Sequence, residues 1–327
     1  MIEVSGLKKA TMKDIAREAK VSVATVSYIL NNVNNQVIKD ETRCRVLETA
    51  KRLNYIPSLT ARSLAKGNSG MVALLFNRSE RDGLWRKMYY GMLAERAETL
   101  CKQAGLHLLV LGMDSERPTF DIVRQREVDG VLLVDVKREK FRDISVHFSI
   151  GVPIVLIDSY IDDPLFKKVV IDYRQAFALW MERSGGSGKQ CFLVLDEFSN
   201  ESMMTEIINA SQLDSASVFV LSADSASGLP EFLLRQQGKS GVALNEFVGL
   251  FVANASQGLK LELTVFCTIG CPEILPPGVR TLRTEEDGGQ LDVAFRIMRS
   301  MVESKHKDVD YLAVGTESGS YVPISLK

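Results

Sequence analysis

The stretch VSVATVSYILN (residues 21–31) decides how this chain is read. A helix this short is marginal in water by itself, so it must lean on neighbours. Val23, Val26, Ile29 and Leu30 recur at helical spacing and partly face an adjoining element. Ala24, Thr25, Ser27 and Tyr28 point elsewhere, which gives the helix a second face that a core does not need. Upstream, Thr11 can cap a first helix, with Asp14 three residues on as a shorter relative of the capping-box glutamate. Ile15, Ala16 and Ala19 supply its apolar stripe. Lys20-Val21-Ser22 breaks that helix, and Ser22 caps the second one, residues 23–31, which Asn31-Asn32 ends. A third helix is expected over 40–53 with Val46, Leu47, Ala50 and Leu53 inward. Two short helices on a tight turn, backed by a third, make a helix-turn-helix unit. In such a unit the second helix lies in the DNA major groove. The outward face of 23–31 is then a reading surface: Thr25 and Ser27 carry hydroxyls for phosphates or bases, and Val23 and Ala24 suit thymine methyls. A generic three-helix bundle shares the same periodicity.

Charge supports the polyanion reading. Residues 1–68 hold 12 Lys and Arg against 6 Asp and Glu, whereas the remainder holds 28 against 35. A basic head on an acidic body suits a nucleic-acid partner for the head. The composition, 46% hydrophobic and 25% charged, is that of an ordinary globular chain. No apolar run reaches membrane-spanning length and no signal-peptide pattern opens the chain, so no membrane partner is expected. Cys44, Cys101, Cys191, Cys267 and Cys271 are odd in number and scattered, which fits a reducing cytoplasm better than a disulfide framework. Cys267 and Cys271 lack a second pair, so neither a metal nor another cofactor is expected. His107, His147 and His306 are far apart in sequence and announce no catalytic base.

From residue 70 onward, short apolar runs alternate with amphipathic segments. MVALLF, LHLLVL, DGVLLVD, PIVLID, CFLVLD, SVFVLS, GVALN and LTVFC read as strands; 85–103, 173–183, 200–211, 246–258 and 286–303 read as helices. That alternation marks parallel sheets wound by helices, here in two lobes. Ligands of such sheets bind beyond the C-terminal strand ends. RSGGSGKQ (183–190) lacks the glycine and hydroxyl spacing of a P-loop and reads as a turn. Glu285, Glu286 and Asp287 suit a helix start. The apolar stripe of WRKMYYGMLAERAETL serves either a dimer face or the core.

MKDIAREAKVSVATVSYILNN (12–32) and ETRCRVLETAKRLNYIPSLTARSLAKGNSGMVALLF (41–76) closely resemble the LacI/GalR family of bacterial transcription regulators, densely over residues 11–76. The resemblance implies a DNA-contacting set of Thr11, Ser22, Val23, Ala24, Thr25, Ser27, Tyr28, Asn31 and Tyr55, with Val23 and Ala24 at the two base-reading positions. Tyr28 departs from the arginine most members carry there; arginine grips guanine through two hydrogen bonds and tyrosine cannot. Lys39 replaces the usual serine cap. Residues 56–68, bounded by Pro57 and Gly67, resemble the hinge helix that folds when two copies meet in the minor groove. Leu64 matches its wedging leucine, Ala61 its close-contact position, and Arg62 and Lys66 can reach phosphates.

For the body the resemblance implies two periplasmic-binding-protein-like lobes with a small-molecule cleft between them. Asn77, Asp158, Tyr160 and Asn245 are the effector-binding candidates. The later landmarks are worn. Asn245-Glu246 stands for Asn-Asp, Gly270-Cys271-Pro272-Glu273 stands for a Gly-aromatic-Asp-Asp turn, and SNESMMTEIINA lacks the arginine found there in many members. The expected organisation is a disordered tail (1–7), a helix-turn-helix domain (8–55), a hinge (56–68) and a two-lobed body (70–327) with lobe crossings near 158–172, 269–282 and the C-terminus. The function expected is a cytoplasmic, nucleoid-associated regulator. It is expected to act as a homodimer, with no heptad-rich leucine extension of the tetramerising kind, and to repress from a pseudo-palindromic DNA operator under a small-molecule effector. The rivals are a regulator whose body binds a protein or nothing, and an enzyme with an accessory head; no convergent catalytic set supports the latter.

Overall fold

The computed structural model describes residues 10–30, 38–55, 68–79, 82–114, 127–146, 148, 151–184, 190–284, 289–305 and 320–327. Two compact units divide the chain, Met1–Ser69 and Gly70–Lys327. The expected tail and the hinge positions Ala61, Arg62, Leu64 and Lys66 lie outside the described residues, as do Asn31 and Glu285–Asp287.

The first unit holds α1 (Met12–Ala19), α2 (Val23–Leu30) and α3 (Asp40–Arg52). Thr11 and Asp14 form a reciprocal capping box: each side chain accepts from the other's backbone N–H. Lys20 turns the chain in the left-handed region, φ 54°, and its N–H closes on Ala16 O. Ser22 Oγ then accepts the Thr25 N–H at 3.0 Å and opens α2. Ile15, Ala16, Ala19, Val26, Ile29, Val46 and Ala50 form the buried core. Arg45 donates to Ala19 O at 3.1 Å and Arg52 pairs with Glu18, so α3 is tied to α1. Two expectations need correction. Val23 does not turn toward α1 but stands 42% exposed, and Leu47 is 47% exposed. The α3 stripe runs through Val46, Thr49, Ala50 and Leu53, spaced i, i+3, i+4, i+7, and Leu47 falls beside it. Lys39 precedes α3 without a side-chain cap, leaving Asp40 and Glu41 to offset the helix dipole.

The second unit holds two sheets whose strands all pair in parallel. Its strands are β1 (Met71–Arg78), β2 (His107–Asp114), β3 (Gly130–Val134), β4 (Ile154–Ile157), β5 (Lys167–Ile171), β6 (Cys191–Asp196), β7 (Val218–Leu221), β8 (Ser240–Leu244), β9 (Glu262–Cys267), β10 (Arg280–Arg283) and β11 (Tyr321–Ile324). The first sheet runs β11-β5-β4-β3-β1-β2 and the second β10-β9-β8-β6-β7. Helices α4 (Leu84–Gln103), α5 (Arg138–Ser145), α6 (Tyr173–Arg183), α7 (Glu201–Ser211), α8 (Leu229–Arg235), α9 (Glu246–Ala255) and α10 (Gly289–Lys305) wind them. β3, β4 and β8 are buried at every residue, as strands covered on both faces must be. The stripe on α4 is core: Trp85, Tyr89, Tyr90, Leu93 and Ala97 are buried.

All eight expected strands are present; β5, β10 and β11 were not legible. In β5 the pattern is masked by Lys167 and Lys168, both buried. Lys168 Nζ bonds to Asp163 O and sits 4.8 Å from the Tyr321 ring centroid, so its charge is met by a carbonyl and a π-face. The first lobe crossing falls at the end of the expected 158–172 stretch, and the second comes just after the expected 269–282. β5 belongs to the first sheet, so the chain leaves that sheet only after Ile171, along α6. β10 belongs to the second sheet, so 269–282 is a link within that lobe, and the return runs after Arg283 with α10. The C-terminal segment bridges back, Thr284 pairing with Leu326.

Candidate nucleic-acid interface and interlobe cleft

In the head, Ser22, Val23, Ala24 and Tyr28 are exposed along one side of α2, while Val26 and Ile29 are buried on the other. That side carries no acidic residue, and the exposed Lys13, Arg17 and Lys20 lie on α1 and its turn. Thr25 and Ser22 bond through their hydroxyls at 2.8 Å, which presents a fixed pair of oxygens at the start of the helix. Backbone N–H groups at a helix start favour a phosphate. Thr11 is exposed and its hydroxyl is engaged by Asp14. Ser27 and Tyr55 are half-buried; Tyr55 packs on the head core and its N–H bonds to Ala50 O. The sequence-expected set therefore falls into an exposed row and a half-buried group, Thr25, Ser27 and Tyr55.

In the body, strand ends of the two sheets meet over a polar network that sequence reasoning missed. Arg86, in the first turn of α4, is 3% exposed. Its guanidinium donates to Asp196 at 2.9 Å, to Tyr90 Oη at 3.1 Å, and to Asp135. Asp135 follows β3 of the first sheet and Asp196 ends β6 of the second, so one side chain ties the lobes together. The rings of Tyr89, Tyr90 and Phe198 surround the guanidinium at 5.0–5.4 Å. Trp85 Nε1 donates to the other oxygen of Asp196 at 2.8 Å, and the Trp85 ring meets Phe251 of α9 edge-on. Asp135 also accepts the amides of Ser199 and Asn200, at 2.9 and 3.0 Å, from the second lobe. Within that set burial disfavours the arginine's charge, but Tyr90, Asp135 and Asp196 outweigh it and hold Arg86 charged.

The four cleft candidates behave differently. Asp158 is buried and both its oxygens are taken, by Tyr89 Oη at 2.5 Å and Gln290 Nε2 at 3.0 Å. Asn245, φ 63°, caps α9 by accepting the Val248 N–H at 2.9 Å. Asn77 is buried; its backbone carbonyl accepts from Tyr90, and its Nδ2 has no partner among the described residues. The Tyr160 backbone joins the network, its N–H donating to Asn200 Oδ1 and its carbonyl accepting from Asn200 Nδ2, both at 3.3 Å, while its ring lies tilted against Tyr321, centroids 5.1 Å apart, beside a cavity of about 370 Å³ that Tyr173, Arg174 and Glu206 also line. The worn landmark Glu246 has a structural role, for its buried carboxylate accepts the amides of Ile269, Gly270 and Cys271 at 3.1, 2.8 and 3.0 Å. Among the described residues no cluster of His, Cys, Asp and Glu could hold a metal ion.

Burial pushes the carboxyl of Asp196 up to about 6, against the pull of Arg86 and Trp85. The folded form therefore keeps this proton to higher pH than the unfolded chain, whose aspartate titrates near about 4. The resulting stabilisation is full below that value and is lost as pH rises through about 6. We expect the body to lose of order 1–3 kcal/mol from this group between pH 5 and pH 7. Asp158 and Glu246 shift in the same direction, also through burial. Denaturant titrations of wild type and Asp196→Asn at both pH values check it: the variant should show the shallower pH dependence, and identical slopes would contradict it.

A family model described as bacterial regulatory proteins, lacI family, matches residues 11–58. Catabolite control protein A of Staphylococcus epidermidis is 32% identical over 171 residues, 51% of this chain and 49% of the relative, so the match spans about half of that protein's length. The HTH-type transcriptional regulator pepR1 of Lactobacillus delbrueckii subsp. lactis is 26% identical over 94% of this chain and 97% of its own. A lac repressor dimer bound to operator and the anti-inducer ONPF shares the fold with a TM-score of 0.64 at 17% identity, covering 98% of both chains. A LacI-family regulator from Silicibacter pomeroyi gives 0.63 at 18% identity over 97% of each. No helix among the described residues is long and apolar enough to cross a membrane. Residues 11–58 thus match the lacI family of bacterial regulatory proteins, and the two parallel-sheet lobes that follow in the chain share the fold of the lac repressor.

Proposed function

We propose that this chain is a sequence-specific DNA-binding transcription regulator, non-enzymatic and cytoplasmic, that represses as a homodimer on a pseudo-palindromic operator. One observation carries the reading: the exposed row Val23, Ala24 and Tyr28 on a helix whose other side is buried in a compact head. Two-fold protein symmetry calls for matching symmetry in the site, one half-site per head. Asn31, Ala61, Arg62 and Leu64 complete the contacts in this account, with Leu64 as minor-groove wedge. The test is Tyr28→Arg. A randomised-site selection with the variant should change base preference at one symmetric position, toward guanine, with a discrimination of about 1–3 kcal/mol. An unchanged preference would contradict the placement of residue 28.

The body is the regulatory part. Control by a small molecule held between the lobes is the reading family likeness favours, with Asn77, Asp158, Tyr160 and Asn245 as its contacts. A second reading, in which the body answers to a protein partner or to no effector, is supported by a specific observation. The carboxylates at the lobe junction are already satisfied by Arg86, Trp85, Tyr89 and Gln290 of the same chain. A hydroxylated ligand would have to displace these bonds.

A further inference from the structure

We propose that Arg86 is a built-in occupant of the interlobe cleft: its guanidinium takes the place of a cationic ligand and holds the two lobes closed. The inference rests on the second reading above and extends it. The surroundings of the guanidinium are those of a cation site. Two carboxylates from opposite lobes, Asp135 and Asp196, accept its N–H groups, and three aromatic rings line its faces. Charge-assisted hydrogen bonds and ring faces together recognise a planar cation better than a neutral polyol. The covalent link to α4 makes occupancy intramolecular, so a free competitor meets a high effective concentration. Trp85 supports the clamp from the same turn, bonding Asp196 and packing on Phe251 of the second lobe. Asp135 reinforces it by taking two second-lobe amides. The two lobes are thus linked through side chains of the same chain, and the ligand class the site selects is a guanidinium or amidinium ion.

The experiment uses the full chain and chemical rescue. In Arg86→Ala the body transition should melt several degrees lower than in wild type. Guanidinium chloride or methylguanidinium at about 10–20 mM, below denaturing levels, should raise it again by mass action. Neutral urea, of the same shape, should not, and wild type should not respond to the cation. Equal responses in variant and wild type, or none in the variant, would overturn the proposal. If Arg86→Ala does not fold, Arg86→Met combined with Asp196→Asn removes the interlobe ion pair while leaving Asp135 its two amides. This double variant should show a larger radius of gyration by small-angle scattering, and an unchanged radius would also overturn the clamp. A sugar that stabilises the wild-type chain would instead overturn the second reading and leave the rescue result to stand by itself. None of these readouts involves DNA, so the binding function of the head is tested separately.

Discussion

Ile15→Ala is expected to weaken specific DNA binding strongly while leaving the body's melting transition in place. Ile15 is fully buried at the centre of a core of seven buried side chains. Large-to-small changes at such positions cost about 2–5 kcal/mol, because transfer energy is lost and a cavity remains. A helical unit this small has a stability of only a few kcal/mol to draw on. Tertiary packing, not intrinsic propensity, keeps helices of this length folded. α1 and α2 are eight residues each, so both unravel when that packing fails. Affinity falls once this cost exceeds the unit's own stability, by a factor of about ten for each further 1.4 kcal/mol. Titration of the full chain against its selected duplex, with calorimetry of the same sample, separates the two effects. Retained affinity would mean that α2 is not held by this core when it binds.

The second large effect is expected at Glu246. Its buried carboxylate is the common acceptor for three consecutive amides, Ile269, Gly270 and Cys271. Gly270 there has φ 93°, a conformation that other residues adopt only with strain. Glu246→Ala would remove the acceptor of all three amides, of which the Cys271 one is buried and the Ile269 and Gly270 ones are partly open to water, and each hydrogen bond to a charged group contributes about 1.5–3 kcal/mol. Relief of the carboxylate's desolvation offsets part of the loss. We expect a net destabilisation of about 3–5 kcal/mol, with Glu246→Gln falling between the two because its carbonyl still accepts. Urea denaturation reads this as a shift in midpoint at constant slope. A loss below about 1 kcal/mol would show that the 269–271 loop finds other partners.

What could be read in the sequence was local. The Thr11 and Ser22 caps, the buried stripe of Ile15, Ala19, Val26 and Ile29, and strands such as β3 all follow from contacts within a few residues or from uniform apolarity. Leu47 failed because hydrophobicity alone does not fix which residue of an adjacent pair enters a stripe; Val46 and Ala50 take the inward positions. β5 failed because its first two residues are lysines, and only the fold supplies the Asp163 carbonyl and the Tyr321 ring that let Lys168 be buried. Arg86 was invisible for a related reason. A charged residue in the first turn of a helix is ordinarily a solvated one, and its partner Asp196 lies 110 positions away. The strand-terminal aspartates of VLLVD and FLVLD were the available signal, since acids ending buried strands need a counter-charge. Asp158 was singled out as a cleft-facing residue, and its carboxylate is bonded by Tyr89 and Gln290 of the same chain.

The central claim is that the head reads DNA sequence. The measurement that tests it most directly is the equilibrium affinity of the full chain for a duplex selected from a randomised pool, set against a scrambled duplex, across a range of salt concentrations. The account predicts that the selected sites share an inverted repeat and are bound at least about 10³-fold more tightly than the scrambled duplex. It also predicts that both affinities fall with salt as phosphate contacts release counterions. Equal affinity for the two duplexes at every salt concentration would contradict it, leaving a basic head that binds polyanions without reading them.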